Sequence, residues 1–298
     1  MKIGLQIPNF TWPGGPSVIP DKLAEIAQAA DAAGFDSLWV MDHLFQIGDP
    51  QRSMGVGPAE EEMLEAYTTL AYLAALTKNV KLGAMVTSAV YRHPGVLIKT
   101  VTTLDVLSKG RAYLGIGAAW FEREATGLGI PFPPLSERFE RLEETLQVAK
   151  QMWSENNGPY QGKYYQLAET INSPQAFSKP HPRIMIGGGG EKKTLRLVAQ
   201  YADACNLFAF GGVDAVKAKL DVLKQHCKTL GRDYNKITKT ALSMAMVPAP
   251  MPAAAVIEQC RQFAAIGVQE MTFMLPNVHD ITPIEIFARE IIPAVAAF

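Results

Sequence analysis

Short apolar stretches alternate along this chain with longer stretches in which apolar residues recur every three or four positions. The short stretches predict buried strands, and the longer ones predict amphipathic helices. The predicted strands are Ile3–Ile7, Ser37–Met41, Val80–Val86, Arg111–Ile116, Ile184–Ile186, Ala204–Phe208, one strand within Ile237–Val247, and Met271–Leu275. The predicted helices are Asp21–Ala33, Glu61–Thr77, Gly95–Leu107, Ser136–Trp153, a helix from Lys192 to about Tyr201, Val213–Leu230, Ala253–Ile266 and Pro283–Ala297.

Eight strand–helix units in 298 residues predict an α/β fold of one domain, a TIM (β/α)8 barrel over residues 1–298. A doubly wound open sheet is the alternative, which the short strands and uniform composition disfavour. One segment, about 155–182, departs from the even spacing with Asn156-Asn157-Gly158, several tyrosines and several prolines. It predicts an inserted hairpin with an extended return, serving either as a lid or as a surface excursion.

The predicted loops after strands are longer than those before strands. Long loops are expected at Asn9–Pro20, Asp42–Pro58 and Gly117–Leu135, whereas Lys78-Asn79 and Lys109-Gly110 are short connections. In a TIM barrel the loops that follow the strands form the functional face. The ligand is therefore expected at that end of the barrel.

Composition narrows the possible partners. The chain is 48% hydrophobic with a net charge of −1 and no basic block, which argues against nucleic-acid binding. Its three cysteines are unclustered and indicate neither a disulfide framework nor a zinc site. Gln6 and Pro8 interrupt the first apolar stretch, so it is a strand rather than a signal peptide. No apolar run reaches membrane-spanning length. A cytoplasmic protein with a small-molecule substrate is expected.

A run of four glycines follows the fifth predicted strand, at Gly187, Gly188, Gly189 and Gly190. A strand, a glycine turn and a helix start together present free backbone N–H groups to an anion. Lys192 and Lys193 add positive charge there. The run predicts a phosphate-binding turn, with a plain flexible turn as the alternative, and it does not match the G-x-G-x-x-G dinucleotide fingerprint.

The tips of strands two, three and four carry the other candidate residues. Asp42 and His43 follow strand two, where Asp42 could accept a ligand N–H and His43 could carry a proton near neutral pH. The alternative is that Asp42 only caps a turn and that His43 is a hydrogen-bonded residue at the rim of the barrel. Residues at the ends of strands three and four offer hydroxyls, small side chains and an aromatic wall. They are Met85, Val86, Thr87, Ser88, Gly117, Ala118, Ala119, Trp120 and Phe121, with Arg92 and His93 facing either the ligand or the exterior.

The residue types exclude several kinds of chemistry. Histidine, cysteine and carboxylates are not clustered at metal-ligand spacing, and no Gly-x-Ser-x-Gly nucleophile elbow is present. Small and aromatic side chains, one Asp-His pair and one anion site favour a flat phosphorylated cofactor that performs its own redox chemistry.

These residues resemble the bacterial luciferase-like superfamily of TIM barrels, and within it the coenzyme F420-dependent oxidoreductases. The similar segments span nearly the whole chain. They include residues 4–8, 34–43, 82–87, 102–111 and 114–118, Arg138-Phe139, Glu143-Glu144 and the glycine run. The scaffold is common to F420-dependent and FMN-dependent members. An FMN-dependent monooxygenase and a non-catalytic flavin-binding or deazaflavin-binding barrel therefore stay as alternatives.

The resemblance implies roles for individual residues. His43 and Asp42 match the pair that faces the deazaflavin ring, with His43 as the catalytic candidate. Met85-Val86 matches a strand-three bulge that contains a non-prolyl cis peptide bond. Gly187–Gly190 match the phosphate-binding turn, and Gly117–Trp120 match a wall beside ring or phosphate. The family usually forms dimers, so a homodimer is expected.

One departure from the family pattern concerns the substrate. The sugar-phosphate dehydrogenases of this family place a carboxylate soon after the strand-four glycines, where this chain has Ala119-Trp120. A basic pair for a substrate phosphate is not evident either. The sequence therefore disfavours sugar-phosphate oxidation, and Trp12, Trp120 and Phe121 suggest a small, weakly polar organic substrate.

Overall fold

The computed structural model describes residues 1–48 and 57–298 and contains a closed barrel of eight parallel strands. They are β1 (Lys2–Ile7), β2 (Ser37–Val40), β3 (Lys81–Ala84), β4 (Ala112–Gly117), β5 (Arg183–Gly187), β6 (Ala204–Phe208), β7 (Thr238–Met244) and β8 (Glu270–Met274). Each strand pairs with the next in the chain, β8 pairs with β1, and Leu82 of β3 lies opposite Ala112 of β4. The predicted TIM barrel is confirmed.

Alternation along the strands divides the core into two layers. Successive side chains of a strand point to opposite faces, so Leu38 packs outward beneath the helices while Trp39 points into the barrel. The outer layer is the larger one. The inner layer consists of Trp39, Met85, Tyr113, Met185, Ala204, Leu242 and Met274. Because both faces are covered, the strands are almost fully buried, as parallel strands usually are.

Helices surround the barrel in the predicted alternation. They are α1 (Ile19–Ala33), α2 (Ala66–Leu76), α3 (Pro94–Leu107), α4 (Glu122–Gly127), α5 (Leu135–Met152), α6 (Thr194–Tyr201), α7 (Gly212–Leu230), α8 (Ala253–Ala265), α9 (Thr282–Ile286) and α10 (Ile292–Val295). Short 3₁₀ turns lie at Gly15–Val18, Ala209–Gly211, Tyr234–Lys236 and Val278–Asp280. Among the described residues, no helix is both long and apolar enough to cross a membrane.

Three predicted elements differ from the structure. The second helix begins at Ala66 rather than Glu61, because the Glu65 side chain accepts a hydrogen bond from the Thr68 N–H and caps it there. The loop predicted at Gly117–Leu135 contains α4. The predicted last helix is divided by a π-helical turn, Phe287–Ile291, directly before α10. That turn precedes Pro293, which has no N–H for a regular helical hydrogen bond.

The loop predicted at Asp42–Pro58 lies partly outside the described residues, which do not include 49–56. The predicted inserted hairpin is present as two short antiparallel strands, Tyr160–Gln161 and Gln166–Leu167. Its turn is held by the Glu144 carboxylate of α5, which accepts hydrogen bonds from the N–H groups of residues 163–165. The insertion therefore packs on the outside of the helices.

Candidate active site

A cavity of about 310 Å³ opens at the C-terminal ends of the strands, and we call it the mouth cavity. Its lining comes from six strands or their following loops, together with α5 and α6. The lining residues are Asp42, His43, Met85, Val86, Ser88, Tyr91, Gly117, Ala118, Ala119, Trp120, Leu135, Phe139, Gly187, Gly188, Thr194, Asn206, Phe208 and Leu242. No residue of the segment 155–182 is among them, so the insertion does not cover this cavity as a lid.

Most of the site residues named from the sequence line the mouth cavity together, but a few do not. Thr87 is fully buried, and its hydroxyl is 2.7 Å from the Tyr67 hydroxyl. Gly189 and Gly190 lie beyond the lining, farther along the glycine turn. Trp12 is buried beside Phe10, away from the cavity, whereas Trp120 is 52% exposed at its rim.

His43 is held by a glutamate that the sequence did not single out. Its Nδ1 lies 2.6 Å from Oε1 of Glu124, the buried carboxylate on α4. The Tyr91 hydroxyl donates to the same oxygen at 2.5 Å, and the backbone N–H groups of Leu44 and Phe45 donate to the other. Trp120 and Phe121 meet the imidazole edge-on. The ring is therefore fixed in orientation on three sides.

The charges at this cluster follow from its hydrogen bonds. Burial by itself would raise the pKa of the Glu124 carboxyl, but the bonds from His43, Tyr91 and Leu44 outweigh burial and lower it. Burial and the adjacent Glu124 raise the pKa of Tyr91, which keeps its hydroxyl a neutral donor. An ionised carboxylate only accepts, so the Nδ1 of His43 carries the proton. Nε2 then has no hydrogen-bond partner among the described residues and is available to a ligand.

Asp42 is tied to Arg92 in a two-pronged ion pair. The Arg92 Nη1 and Nη2 each donate to one Asp42 oxygen at 2.8 Å, and the Ser88 N–H donates to Oδ2 at 3.0 Å. Nη2 of Arg92 also reaches Glu65, the cap of α2, at 2.5 Å. Burial would lower the pKa of Arg92, but the bonds to Asp42 raise it. Arg92 thus fixes the tip of β2, while His93 caps α3 outside the cavity.

The predicted non-prolyl cis peptide bond is present at Met85–Val86 and interrupts β3 before the short strand Thr87–Ser88. The Val86 side chain fills the space between two glycines of neighbouring strands. A Cβ added to Gly117 would lie 2.9 Å from Val86 Cγ2, and one added to Gly187 would lie 2.8 Å from Cγ1. These two glycines are therefore required because Val86 packs against their backbones.

The glycine turn begins at the wall of the mouth cavity, at Gly187 and Gly188, and leads to α6. Gly188 has φ +112°, and its N–H already donates to the Asn206 carbonyl. Gly189 and Gly190 donate no hydrogen bond among the described residues, and no side chain caps α6. Lys219 reaches this turn and pairs with Glu191 at 2.6 Å. The turn thus offers free N–H groups beside Lys192 and Lys193, while the charge of Lys219 is balanced by Glu191.

The site residues that the sequence did not reveal are held by tertiary contacts. Glu124 lies 81 residues from His43 and is buried only because α4 folds back against the loop after β2. Asn206, Phe208 and Leu242 line the cavity from β6 and β7. Their position at strand ends was the available signal for them. Within residues 1–48 and 57–298, no cluster of three or more histidine, cysteine or acidic side chains could hold a metal.

Comparison with known proteins finds one matching family model and several similar proteins. The family model described as luciferase-like monooxygenase matches residues 1–282. The F420-dependent glucose-6-phosphate dehydrogenase of Kineococcus radiotolerans is 34% identical over 226 residues, which cover 74% of this chain and 62% of that protein. The chain thus spans less than two thirds of the length of the curated relatives it matches first.

Two solved structures have the same fold. An F420-dependent secondary alcohol dehydrogenase, in complex with an F420–acetone adduct, is 19% identical with a TM-score of 0.80, covering 99% of this chain and 98% of the other. The oxygenating constituent of 3,6-diketocamphane monooxygenase from Pseudomonas putida, in complex with FMN, is 17% identical with a TM-score of 0.75, covering 98% of each chain. At this level of identity the likeness concerns the fold alone.

Proposed function

We propose, from the premise that this chain belongs to the luciferase-like monooxygenase family, that it is an F420-dependent oxidoreductase. The reaction transfers a hydride between the deazaflavin ring of F420 and a small, weakly polar organic substrate. The observation that carries the proposal is His43, whose Nδ1 is bonded to Glu124 while Nε2 remains available in the mouth cavity. The name of the 34% identical relative supports the choice of F420.

The shape of the site fits such a cofactor. Val86 fills the space beside Gly117, and the small side chains of Ala118 and Ala119 leave room for a flat ring over that surface in the mouth cavity. The glycine turn adjoins the same cavity, with free N–H groups at Gly189 and Gly190 for a phosphate. We propose that the ring lies against Met85-Val86 and Gly117–Trp120. Asp42 contacts the ring while it keeps its ion pair with Arg92.

When bound, F420 supplies the hydride chemistry at one carbon of its deazaflavin ring. The protein must position the substrate carbon, exclude water and manage the accompanying proton. His43 is suited to that proton, because a neutral imidazole with Nδ1–H accepts it at Nε2. An imidazolium formed in this way is stabilised by the Glu124 carboxylate, and Tyr91 holds that carboxylate in place. In the opposite direction of transfer, Nε2–H returns the proton to the substrate oxygen.

An FMN-dependent monooxygenase is the second candidate, because the same fold holds FMN in 3,6-diketocamphane monooxygenase. A non-catalytic barrel that only binds the cofactor is the third. The experiment titrates oxidised and reduced F420 and FMN separately into the protein, and follows F420 fluorescence and FMN absorbance. We expect saturable binding of F420 and weaker binding of FMN. Binding of FMN without F420, together with oxygen consumption on reduction, would establish the second candidate.

Assembly and location are proposed on separate grounds. We propose a homodimer, which the exposed apolar side chains Val96, Leu107 and Ile171 beside α3 support. Light scattering of the purified protein measures its mass directly, and a monomer mass at micromolar concentration would contradict the homodimer.

A cytoplasmic location is supported by the three cysteines, which are free and buried.

A further inference from the structure

A second cavity of about 850 Å³ lies at the C-terminal ends of β7 and β8 and has no part in the proposed proton and hydride transfer. Four of the described residues that line it are methionines, and we call it the methionine pocket. Met244 and Met274 end β7 and β8, and the loop after β7 contributes two more. The lining residues are Phe210, Ser243, Met244, Met246, Pro250, Met251, Pro252, Ala255, Gln259 and Met274.

The methionine pocket adjoins the mouth cavity, and apolar side chains line both where they meet. Leu242 lines the mouth cavity, and Met244 lies two residues farther on the same inner face of β7. Leu242 and Met274 pack in one inner cluster, against which Met244 also packs. On the other side, Phe208 lines the mouth cavity and stacks on Phe210 with ring centroids 6.1 Å apart. The two cavities therefore lie side by side at the same end of the barrel.

The chemistry of the methionine pocket is almost entirely apolar. Among the described residues, none that lines the pocket is ionisable, and the two polar side chains there, Ser243 and Gln259, hydrogen-bond to each other at 3.1 Å. A phosphate or a sugar placed here would lose water without gaining a charged partner, which is unfavourable. Methionine side chains, by contrast, adapt to apolar groups of varied shape. Phe208 and Phe210 leave 58% and 55% of their surfaces exposed, which an apolar ligand would cover.

We infer that the methionine pocket binds an apolar arm of the substrate, an alkyl or arylalkyl chain, while the alcohol or carbonyl group lies at His43. The substrate is then an amphiphilic alcohol or carbonyl compound rather than a sugar phosphate. The position of the reacting group rests on the proposed function. The affinity of the pocket for an apolar chain is a property of this protein that is measured without any cofactor.

The test uses 1-butanol, 1-hexanol and 1-octanol as probes on protein whose methionine methyl groups carry ¹³C. We expect NMR shifts at the methyl groups of Met244, Met246, Met251 and Met274, with none at Met152 in the outer groove along α3. Burying one methylene strengthens binding about fourfold. The dissociation constant should fall by about that factor per methylene while the chain still finds apolar surface to cover.

Two matched variants sharpen the result. Met246→Lys places a charge in the methionine pocket and should weaken octanol binding about tenfold or more. Leu230→Lys places the same charge at the exposed end of α7, outside the lining of the methionine pocket, and should leave octanol binding unchanged. Met246→Ser serves in the same way if the lysine variant does not fold. Equal affinity for butanol and octanol, shifts confined to Met152, or full octanol affinity in a folded Met246 variant would overturn the inference.

The outcomes also separate this inference from the proposed function. Octanol binding at the four methionines without any F420 binding would support the methionine pocket and contradict F420 as the cofactor. F420 binding combined with equal affinity for all three alkanols would contradict the methionine pocket and would leave the proposed hydride transfer unaffected.

Discussion

At the scale of single residues, His43 is the group on which the proposed chemistry depends. General acid–base catalysis contributes typically about 10²–10⁴-fold. We therefore expect His43→Ala to lower the single-turnover rate by about that range while F420 still binds. Titration of F420 fluorescence paired with single-turnover rates measures both. His181→Ala, at the opposite end of the barrel against Trp153, is the control. Full rate at saturating F420 in the His43 variant would remove His43 from the mechanism.

Gly189 offers the cleanest test of the phosphate-binding turn. The three atoms nearest to a Cβ added at this position are Lys219 carbons at 3.7–3.8 Å, which is ordinary contact, so the backbone has room for a side chain here. Gly188 has a positive φ, and a Cβ added to Gly190 would lie 2.7 Å from Thr194 Oγ1. Variants at these two positions would therefore strain the backbone or its packing, and a loss of F420 affinity could not be assigned to the lost phosphate contact. Hydrogen bonds to charged groups contribute about 1.5–3 kcal/mol. Gly189→Val should weaken F420 binding roughly 10- to 100-fold through lost approach.

The control for the glycine turn is Gly95→Val, at the start of α3, where a Cβ also finds ordinary contact distances of 3.4 Å and more. Both variants should unfold at the same denaturant midpoint as the unaltered protein. Unchanged F420 affinity in a folded Gly189→Val protein would contradict the predicted phosphate site.

At the scale of elements, Arg92 connects the tip of β2 with the start of α2. It pairs with Asp42, whose side chain is fully buried, and with Glu65, the cap of α2. Removing one partner of a buried ion pair costs about 3–5 kcal/mol, because the other charge stays buried. Arg92→Met should lower the free energy of unfolding by about that amount.

Denaturant titration measures the effect of Arg92→Met, with Arg289→Met as the control. Arg289 pairs with Glu290 on the surface, and such pairs contribute about 0–1 kcal/mol. If both variants lose the same small amount of stability, Arg92 does not hold these elements together.

The same elements explain which parts of the site could be predicted. His43, Asp42 and the glycine turn follow directly from strand ends, because each stands in the chain where a strand stops. Glu124 could not be found in this way, because a short helix inside a predicted loop carries it. Thr87 was expected among the cofactor-binding residues. The structure instead buries the Thr87 side chain against Tyr67, and Thr87 does not line the mouth cavity.

At the scale of the whole molecule, two buried carboxyls give opposite pH dependences of stability. Hydrogen bonds lower the pKa of Glu124 against the effect of burial, so its stabilisation is present above the unfolded pKa and is lost as the pH falls through the folded value. Burial raises the pKa of Glu270 despite the bond from Ser37. Its ionisation therefore costs stability at neutral pH, and that cost shrinks as the pH falls below the folded pKa and is gone below the unfolded pKa.

We therefore expect Glu124→Gln to destabilise the protein at neutral pH and Glu270→Gln to stabilise it. The effect of Glu270→Gln should disappear below about pH 4, where the glutamates are protonated in the unfolded chain too. The effect of Glu124→Gln should begin to shrink there and should vanish only as the pH falls through the lowered folded pKa of Glu124. Thermal unfolding between pH 3.5 and 8 measures them, with the exposed Glu258→Gln as control. A stabilisation by Glu270→Gln that persists at pH 3.5 would show that its cause is not the buried charge.

The sequence by itself determined the order of strands and helices, the closed barrel, the face that carries the site and the family, because these depend on local apolar periodicity and on short motifs. Only the tertiary structure decided the partners of His43 and Asp42, the role of Val86 between two glycines, and the methionine pocket beside the mouth cavity. Those features join residues that are distant in the chain. Contacts of that kind depend on how strand ends and loops pack against one another, which no local pattern records.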